Sequence, residues 1–293
     1  MFEQLLILGA VASAVYALLS LGFTLSFGIA RIVNMAHGSF FMLGAYLYYA
    51  YGPRGFGKLD VFSSLILAAI TVAITGAIFY RSAIHSVMGD DIALIVVTIG
   101  GALVFQQAMT IIFGVGHVTI NPLWEGAIHI FNVAVTYSKI FALIISLSLF
   151  ACVSIFVSKT KMGKAMRALS QDRQTAMLMG INTETLAMLT VAIAGAIAAV
   201  AGILITASTS QMADPFIWLY PLTISFAVVI LGGLGSIKGT LVGALTLGFT
   251  ETAVVLYFPE GGFLKTGVAL AVMVAVLLVR PKGLFGKRIE LEE

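Results

Sequence analysis

Nine times along the chain the sequence enters an apolar run, near 5–29, 36–51, 61–80, 92–113, 138–158, 185–209, 217–234, 240–257 and 264–280. Runs of this length decide the fold class before any motif does. Lipid offers the backbone no hydrogen bonds, so a crossing segment must close its own ladder, which a helix of about 20 apolar residues does. The second, seventh and ninth runs are short or interrupted by glycine, so about eight to ten spans are expected. Only 10% of the residues are charged, against about 25% in soluble domains, too few to coat a water-soluble globule. The expected fold is therefore all-α: a polytopic transmembrane helical bundle over residues 1–285 with a cytoplasmic tail, 286–293.

The same composition excludes other classes. The net charge of +3 is small and not gathered into a stripe, so no nucleic-acid partner is expected. One cysteine, Cys152, allows no disulfide framework within the chain. The opening MFEQLL has neither the basic region nor the cleavage site of a signal peptide, so the first run is expected to stay as a span. Short loops rich in Lys and Arg face the cytoplasm. Lys159, Lys161, Lys164, Arg167 and Arg173 mark residues 159–184 as cytoplasmic, and Arg280, Lys282, Lys287 and Arg288 mark the C-terminus. Counting back places Arg31, Arg81 and His85 inside and 114–137, 210–216 and 258–263 outside. Arg54 and Lys58 fall outside and oppose the scheme.

Several polar or glycine-rich interruptions are candidates for function. In LGGLGSIKGTLVGALTLG, Gly235, Gly239 and Gly243 are spaced four apart. On one helix they would form a bare face for close packing; alternatively, the stretch is a tight reversal or broken helix beside a transport path. It is no phosphate loop, because Ile237 rather than Gly precedes Lys238 and no soluble strand leads into it. The chain is not expected to hydrolyse ATP.

In GIARIVNMAHGSFFMLGAY, Asn34 can cap a helix start, with His37, Gly38 and Ser39 following it. His37 is either an interfacial hydrogen-bonder or part of a pathway. HGSFFMLGAY and LGSIKGTLVGAL share a G-S…G-A pattern, which an internal repeat or chance would leave. Glu251 lies in the eighth run. A charged carboxylate near mid-bilayer costs on the order of 3 kcal/mol, so it must face protein, water or the outer headgroups. Gln106 and Gln107 are expected to bridge helices. His37, His85, His117 and His129 are too scattered to bind a metal, no Ser/His/Asp set stands out, and no cofactor or enzymatic activity is expected.

The stretch KMGKAMRALSQDRQTAMLMGIN, 161–182, is the basic exception in an apolar chain. Asp172 is a good N-cap and Gly180 a good helix stop. Asn182 or Thr183 can cap the next span. Short capped helices are expected here, carrying Met177, Leu178 and Met179 at an apolar tip. The tip either lies on lipid headgroups as an amphipathic helix or docks in a groove of a cytoplasmic partner, a contact to which flexible methionines are suited.

Three blocks, GIARIVNMAHGSFFMLGAY, KMGKAMRALSQDRQTAMLMGIN and AVVILGGLGSIKGTLVGA, make the chain resemble the LivH-type permeases over residues 1–285. These are membrane subunits of branched-chain amino acid ABC importers. IGGALVFQQ and GFTE fit the same order. The resemblance implies a second, LivM-like permease, two cytoplasmic ATPase subunits, an extracytoplasmic binding protein, and the cytoplasmic (inner) membrane of a bacterium. It implies an ATPase-coupling role for the Gly163–Gly180 block, hence for Arg167, Asp172, Arg173 and Ala176, to which the tip adds Met177 and Met179. It also implies a place beside the translocation path for Asn34, His37 and Gly38, and the residue readings add Ser39, Gly235 and Glu251.

The expected function is alternating access for branched-chain amino acids, driven by separate ATPases. Relatives with the same blocks carry urea, short amides or aromatic acids. The rivals are a proton-coupled secondary transporter, a sugar ABC permease and a scaffold subunit. The first normally shows a relay of charged side chains in its spans, where this chain offers Glu251.

Overall fold

The computed structural model describes residues 1–286 apart from 54, 117, 121, 131, 132, 210 and 211. Arg54, His117, Lys287, Arg288 and the remainder of the tail lie outside the described residues. Each apolar run is a helix: α1 (Phe2–Gly28), α2 (His37–Tyr51), α3 (Val61–Phe79), α4 (Asp91–Phe113), α5 (Tyr137–Lys159), α8 (Thr183–Thr209), α9 (Leu219–Gly232), α10 (Ile237–Tyr257) and α11 (Gly261–Val279). The basic stretch supplies α6 (Lys161–Gln171) and α7 (Arg173–Leu178). Among the described residues, seven helices are long and apolar enough to cross a membrane, with α3 continuing through a π turn and a 3-10 turn to Val87. The chain is a multi-pass membrane protein.

Helix starts follow from local polar side chains. Asp60 accepts from the amides of Phe62 and Ser63, and Asp90 from those of Ile92 and Ala93. Thr160 caps α6, Asn182 accepts from the Thr185 amide, and Ser236 caps α10. Each satisfies donors that a helix start leaves unpaired.

Two long helices form the hub. In α1 and in α8, 67% of the most apolar window is buried, against 6% in α11, so the hub is α1 and α8 while α11 lies at the periphery. Lipid gives no hydrophobic drive for helices to associate, so close packing must supply it. Small residues make that possible. An added Cβ at Gly22 would lie 2.8 Å from the Ala194 carbonyl oxygen, at Gly44 2.4 Å from the Ala199 Cα, and at Gly202 2.2 Å from the Phe41 carbonyl oxygen.

Contacts sort the loops to two ends. At the basic end Arg31 meets the end of α6, Arg81 pairs with Glu184 at the start of α8, and Gly28 abuts Gly235. The Leu284 and Phe285 amides donate to the Leu231 and Gly232 carbonyls at the same end. At the far end strand β1 (Val118–Thr119) pairs with β4 (Met212–Ala213), beside the hairpin of β2 (Ala127–Ile130) and β3 (Val133–Thr136). Small sheets of this kind were not foreseen from the apolar runs.

The two shortest apolar helices do not cross. α2 has 15 residues and α9 has 14, roughly 22 and 21 Å, against an apolar core of about 30 Å. Gly22 of α1 lies against both His37 and Ala194, a residue near the middle of α8, so α2 begins at mid-depth. Gly38 lies against the Trp218 carbonyl, so α9 begins there too. From that common level α2 runs to the far end and α9 to the basic end.

This pairing belongs to a larger order. α1–α2–α3–α4 and α8–α9–α10–α11 are the same series: a long hub helix, a half-helix, and two spans. The series run in opposite directions, since α1 ends and α8 begins at the basic end. α1 packs on α10 as α8 packs on α3, and α9 packs on α1 as α2 packs on α8. The chain is an inverted repeat with α5, α6 and α7 between its halves. The letters shared by HGSFFMLGAY and LGSIKGTLVGAL fall at the starts of α2 and α10, which are not counterparts in it.

Candidate functional site

Asn34, His37, Gly38 and Ser39 come together at the start of α2, all fully buried. Asn34 accepts from the Ala36 amide through Oδ1 at 3.0 Å, closing a turn of the kind Asn makes with the amide two residues on. The Ser39 hydroxyl donates to the Ala36 carbonyl at 2.7 Å. His37 Nε2 lies 3.0 Å from the Leu19 carbonyl, a contact in which only its N–H can donate. The imidazole edge also meets Phe23, with centroids 5.7 Å apart. Asn34 Nδ2 and His37 Nδ1 have no hydrogen-bond partner among the described residues. Unpaired buried polar atoms are uncommon in folded proteins.

A second polar centre lies against the same hub helix. Glu251 is 3% exposed, so it does not reach the outer headgroups, one of the three environments open to it from sequence. Its Oε2 accepts from the Tyr16 hydroxyl at 2.5 Å and the Tyr220 hydroxyl at 2.8 Å. Its Oε1 has no partner among the described residues. The Lys265 ammonium sits 4.5 Å from the Tyr220 ring centroid, a cation–π contact. Tyr16 reaches Glu251 because side chains lean toward a helix N-terminus, here the far end, toward which α10 rises. Tyr16 and Leu19 are three residues apart on α1, so α1 carries both centres.

Gly235 is in neither centre. It lies at the basic end in the turn between α9 and α10, with φ of 77° and Gly28 against it. The expectation of one bare face from Gly235, Gly239 and Gly243 gives way to its alternative, a tight reversal. Gly239 and Gly243 do lie on α10, where they abut the Gly232 and Val228 carbonyls of α9.

The signal for the missing partners was in the sequence. Tyrosines within apolar runs carry hydroxyls that need partners when buried, which points to Tyr16 and Tyr220. Lys265 was legible as a charge inside the ninth run. The link between α4 and α9 is made by Gln106, whose Oε1 accepts from Trp218 Nε1 at 2.6 Å, while Gln107 is exposed.

At the basic end the stretch 161–182 folds as two capped helices. Asp172 accepts from the Gln174 and Thr175 amides at 2.8 and 3.1 Å and from the Thr175 hydroxyl at 2.5 Å. The Thr175 hydroxyl, then the Thr175 and Gln174 amides, hold its carboxyl below the usual carboxylate range. Gly180 ends the turn with φ of 79°. Gly163 is buried, where a Cβ would lie 2.4 Å from the Phe156 and Val157 carbonyl oxygens, and it sets α6 tightly on α5. Ala176 is buried as well. Arg167 and Arg173 are exposed, as are Met177, Leu178 at 87% and Met179 at 79%. Beside this tip Ala168, Gln171, Thr175 and Ile181 line a shallow groove of about 240 Å³. Among the described residues no group of three His, Cys, Asp or Glu could hold a metal ion.

Comparison with known proteins gives four findings. A family described as branched-chain amino acid transport system / permease component matches residues 5–278. The high-affinity branched-chain amino acid transport system permease protein LivH of Escherichia coli (strain K12) is 29% identical, over 98% of this chain and 96% of that protein. The ribose import permease protein RbsC of Haemophilus influenzae is 31% identical, over 44% of this chain and 41% of that protein. In fold, the chain is similar to a solved structure, PsaBC from Streptococcus pneumoniae in complex with Fab, with a TM-score of 0.52 and 14% identity, over 95% of this chain and 92% of that one.

Proposed function

Because this chain belongs to the branched-chain amino acid transport permease family, we propose that it is the permease subunit of an ATP-driven importer for leucine, isoleucine, valine and related amino acids. The observation that carries the reading is the exposed apolar tip, Met177–Met179, on two capped helices at the basic end of a membrane bundle. In water such a tip is costly, and in a groove of a soluble subunit it is buried. Gly163, Arg167, Asp172, Arg173, Ala176, Met177, Met179 and Gly180 form this ATPase-coupling site: Gly163 and Ala176 seat it, Asp172 and Gly180 shape it, and the others make contact.

The basic end faces the cytoplasm and the far end carries the strands and loops on which a binding protein docks. The membrane is the inner membrane of a bacterium. The chain works as one permease domain, 1–285, with the coupling loop 159–184 inside it. It pairs with a second permease. The substrate crosses where Asn34, His37, Gly38 and Ser39 and the Glu251 centre line the hub, and Gly235 shapes the turn below. Both half-helices begin there, and a helix start attracts carboxylate. Likeness to the amino-acid permease over nearly the whole chain, against under half for the ribose permease, favours amino acids over sugars.

The test is reconstitution of this chain with its partner permease, ATPases and binding protein, followed by leucine uptake. ATP-dependent uptake is expected. Uptake that ignores ATP and follows a proton gradient would mean a secondary transporter. For the coupling site, Arg173→Glu or deletion of Met177–Met179 should strip the ATPases from the purified complex. Retention at the wild-type level removes that assignment.

A further inference from the structure

Every helix ends with carbonyls that have no partner inside it, and a cation there is favourable. α6 has no basic residue in its last turn. Its last carbonyls are met instead from 139 and 140 residues away: Arg31 Nη2 donates to the Ser170 carbonyl at 3.1 Å and to the Gln171 carbonyl at 3.2 Å. The same guanidinium helps hold the carboxyl of Asp172 low, after Thr175 and Gln174. Arg31 thus touches the point where α6 passes into α7.

Arg31 lies in the break between α1 and α2. Its backbone is left-handed, with φ of 54°, a conformation open to glycine and uncommon for a residue with a Cβ. Such a residue persists where its surroundings over-determine it, and the neighbours do so. The Ile32 amide donates back to the Ser26 carbonyl at 3.1 Å, the Asn34 amide to the Ile32 carbonyl at 3.0 Å, and the His37 amide to the Asn34 carbonyl at 3.1 Å. Ile32, Asn34, Ala36 and His37 are buried. Five residues lie between Arg31 and His37, the first residue of α2, and side-chain or backbone bonds fix the path between them.

The helix pair α6–α7 is joined covalently to two spans, α5 before it and α8 after it. We propose that Arg31 is a non-covalent route: a positioning residue that straps the end of α6 to the α1–α2 break, so that displacement of the pair moves the half-helix α2 and the polar centre at its start. The strap rests on the reading of α6 and α7 as the ATPase-coupling site. A lysine would be a partial substitute: both bonds leave one nitrogen, Nη2, and an ammonium can also donate twice, but its flexible stem lacks the fixed planar geometry of the guanidinium.

The experiment uses the complete importer in liposomes, with wild type, Arg31→Gly and Arg31→Lys compared. Glycine accepts the left-handed backbone without strain, so Arg31→Gly removes the guanidinium while easing the fold. Leucine uptake per ATP hydrolysed and co-purification of the ATPases are both measured. The expected result is ATPase content and hydrolysis retained, uptake per ATP reduced about fivefold or more in Arg31→Gly, the lower bound of ordinary coupling between sites, and a smaller reduction in Arg31→Lys. A smaller change in Arg31→Gly overturns the strap. So does loss of the ATPases or of hydrolysis in that variant, which would make Arg31 part of the docking surface. Arg173→Glu with ATPases retained would refute the coupling site itself, and the two failures are read from different variants.

Discussion

Gly44→Ala tests whether close approach of α2 to the α8 hub holds the half-helix in place. An added Cβ would sit 2.4 Å from the Ala199 Cα, 2.5 Å from its carbonyl oxygen and 2.7 Å from its carbonyl carbon, all backbone atoms that cannot rotate away. Carbon atoms rest at about 3.5–4.0 Å, so the helices must part by roughly 1 Å, a gap that forfeits about a quarter to a half of each opposed contact. Gly202, one turn further along the same interface, adds its own contact with the Phe41 carbonyl oxygen and would be unseated with it. Overfilling a packed interior costs about 1–3 kcal/mol. The expected outcome is a lower melting temperature of the purified complex in detergent and a lower yield of monodisperse protein. Gly100→Ala, in α4, and Gly267→Ala, in α11, are the controls: beyond the surrounding backbone of its own helix, no atom lies within 4 Å of either new Cβ, and alanine is the better helix former. If Gly44→Ala melts with these controls, backbone proximity is not what seats α2, and the argument from glycine contacts fails.

Glu251→Leu removes the acceptor that the Tyr16 and Tyr220 hydroxyls share and leaves them only each other, 2.5 Å apart, so one buried O–H goes unpaired at a cost of about 1–3 kcal/mol, while Glu251→Gln keeps an acceptor and costs less; paired melts of the two variants decide. Trp218→Phe leaves the half-buried Gln106 and Gln106→Leu leaves the buried Trp218 without its partner, and the double variant should be less destabilised than the sum, as a double-mutant cycle would read. The carboxyl of Asp172 is depressed by its hydrogen bonds to Thr175 and Gln174, so its support for α7 is complete above the ordinary carboxylate pKa and is lost as pH falls through the lower, folded value. Protection of the Gln174 and Thr175 amides, relative to their unstructured exchange rates at each pH, should therefore hold at neutral pH and fall only in acid below about pH 4, and Asp172→Asn should abolish that acid step.

The nine apolar runs foretold nine helices because hydropathy reports how much chain lipid will accept. The matches are close: 92–113 against Asp91–Phe113, and 138–158 against Tyr137–Lys159. The capped pair was legible for the same local reason, since Asp172 and Gly180 act on their own neighbours. Depth was not legible. Nothing in HGSFFMLGAY says that α2 starts midway, because that level is set by Leu19, Gly22 and Trp218, distant in sequence. Glu251 was conspicuous as a charge, but its partners come from α1 and α9, and Gly235 had the spacing of a helix face while its φ of 77° belongs to a turn. The strap from Arg31 was beyond reach for the same reason, a contact spanning 139 residues.

An inverted repeat has a further consequence. Turn the bundle end over end and α1–α4 take the places of α8–α11, so the two series by themselves cannot tell one face of the membrane from the other. Direction must be written in whatever the repeat does not copy. Here that is the material between its halves: α5, the far-end hairpin that precedes it, and the pair α6–α7 that follows at the basic end. A compass needle points because one tip differs from the other, and the differing tip of this chain is a segment of fewer than 30 residues, 159–182, tied to an otherwise even-handed bundle by α5, by α8, by the buried Met166 and Leu169, and by the contacts of Arg31 and Arg173.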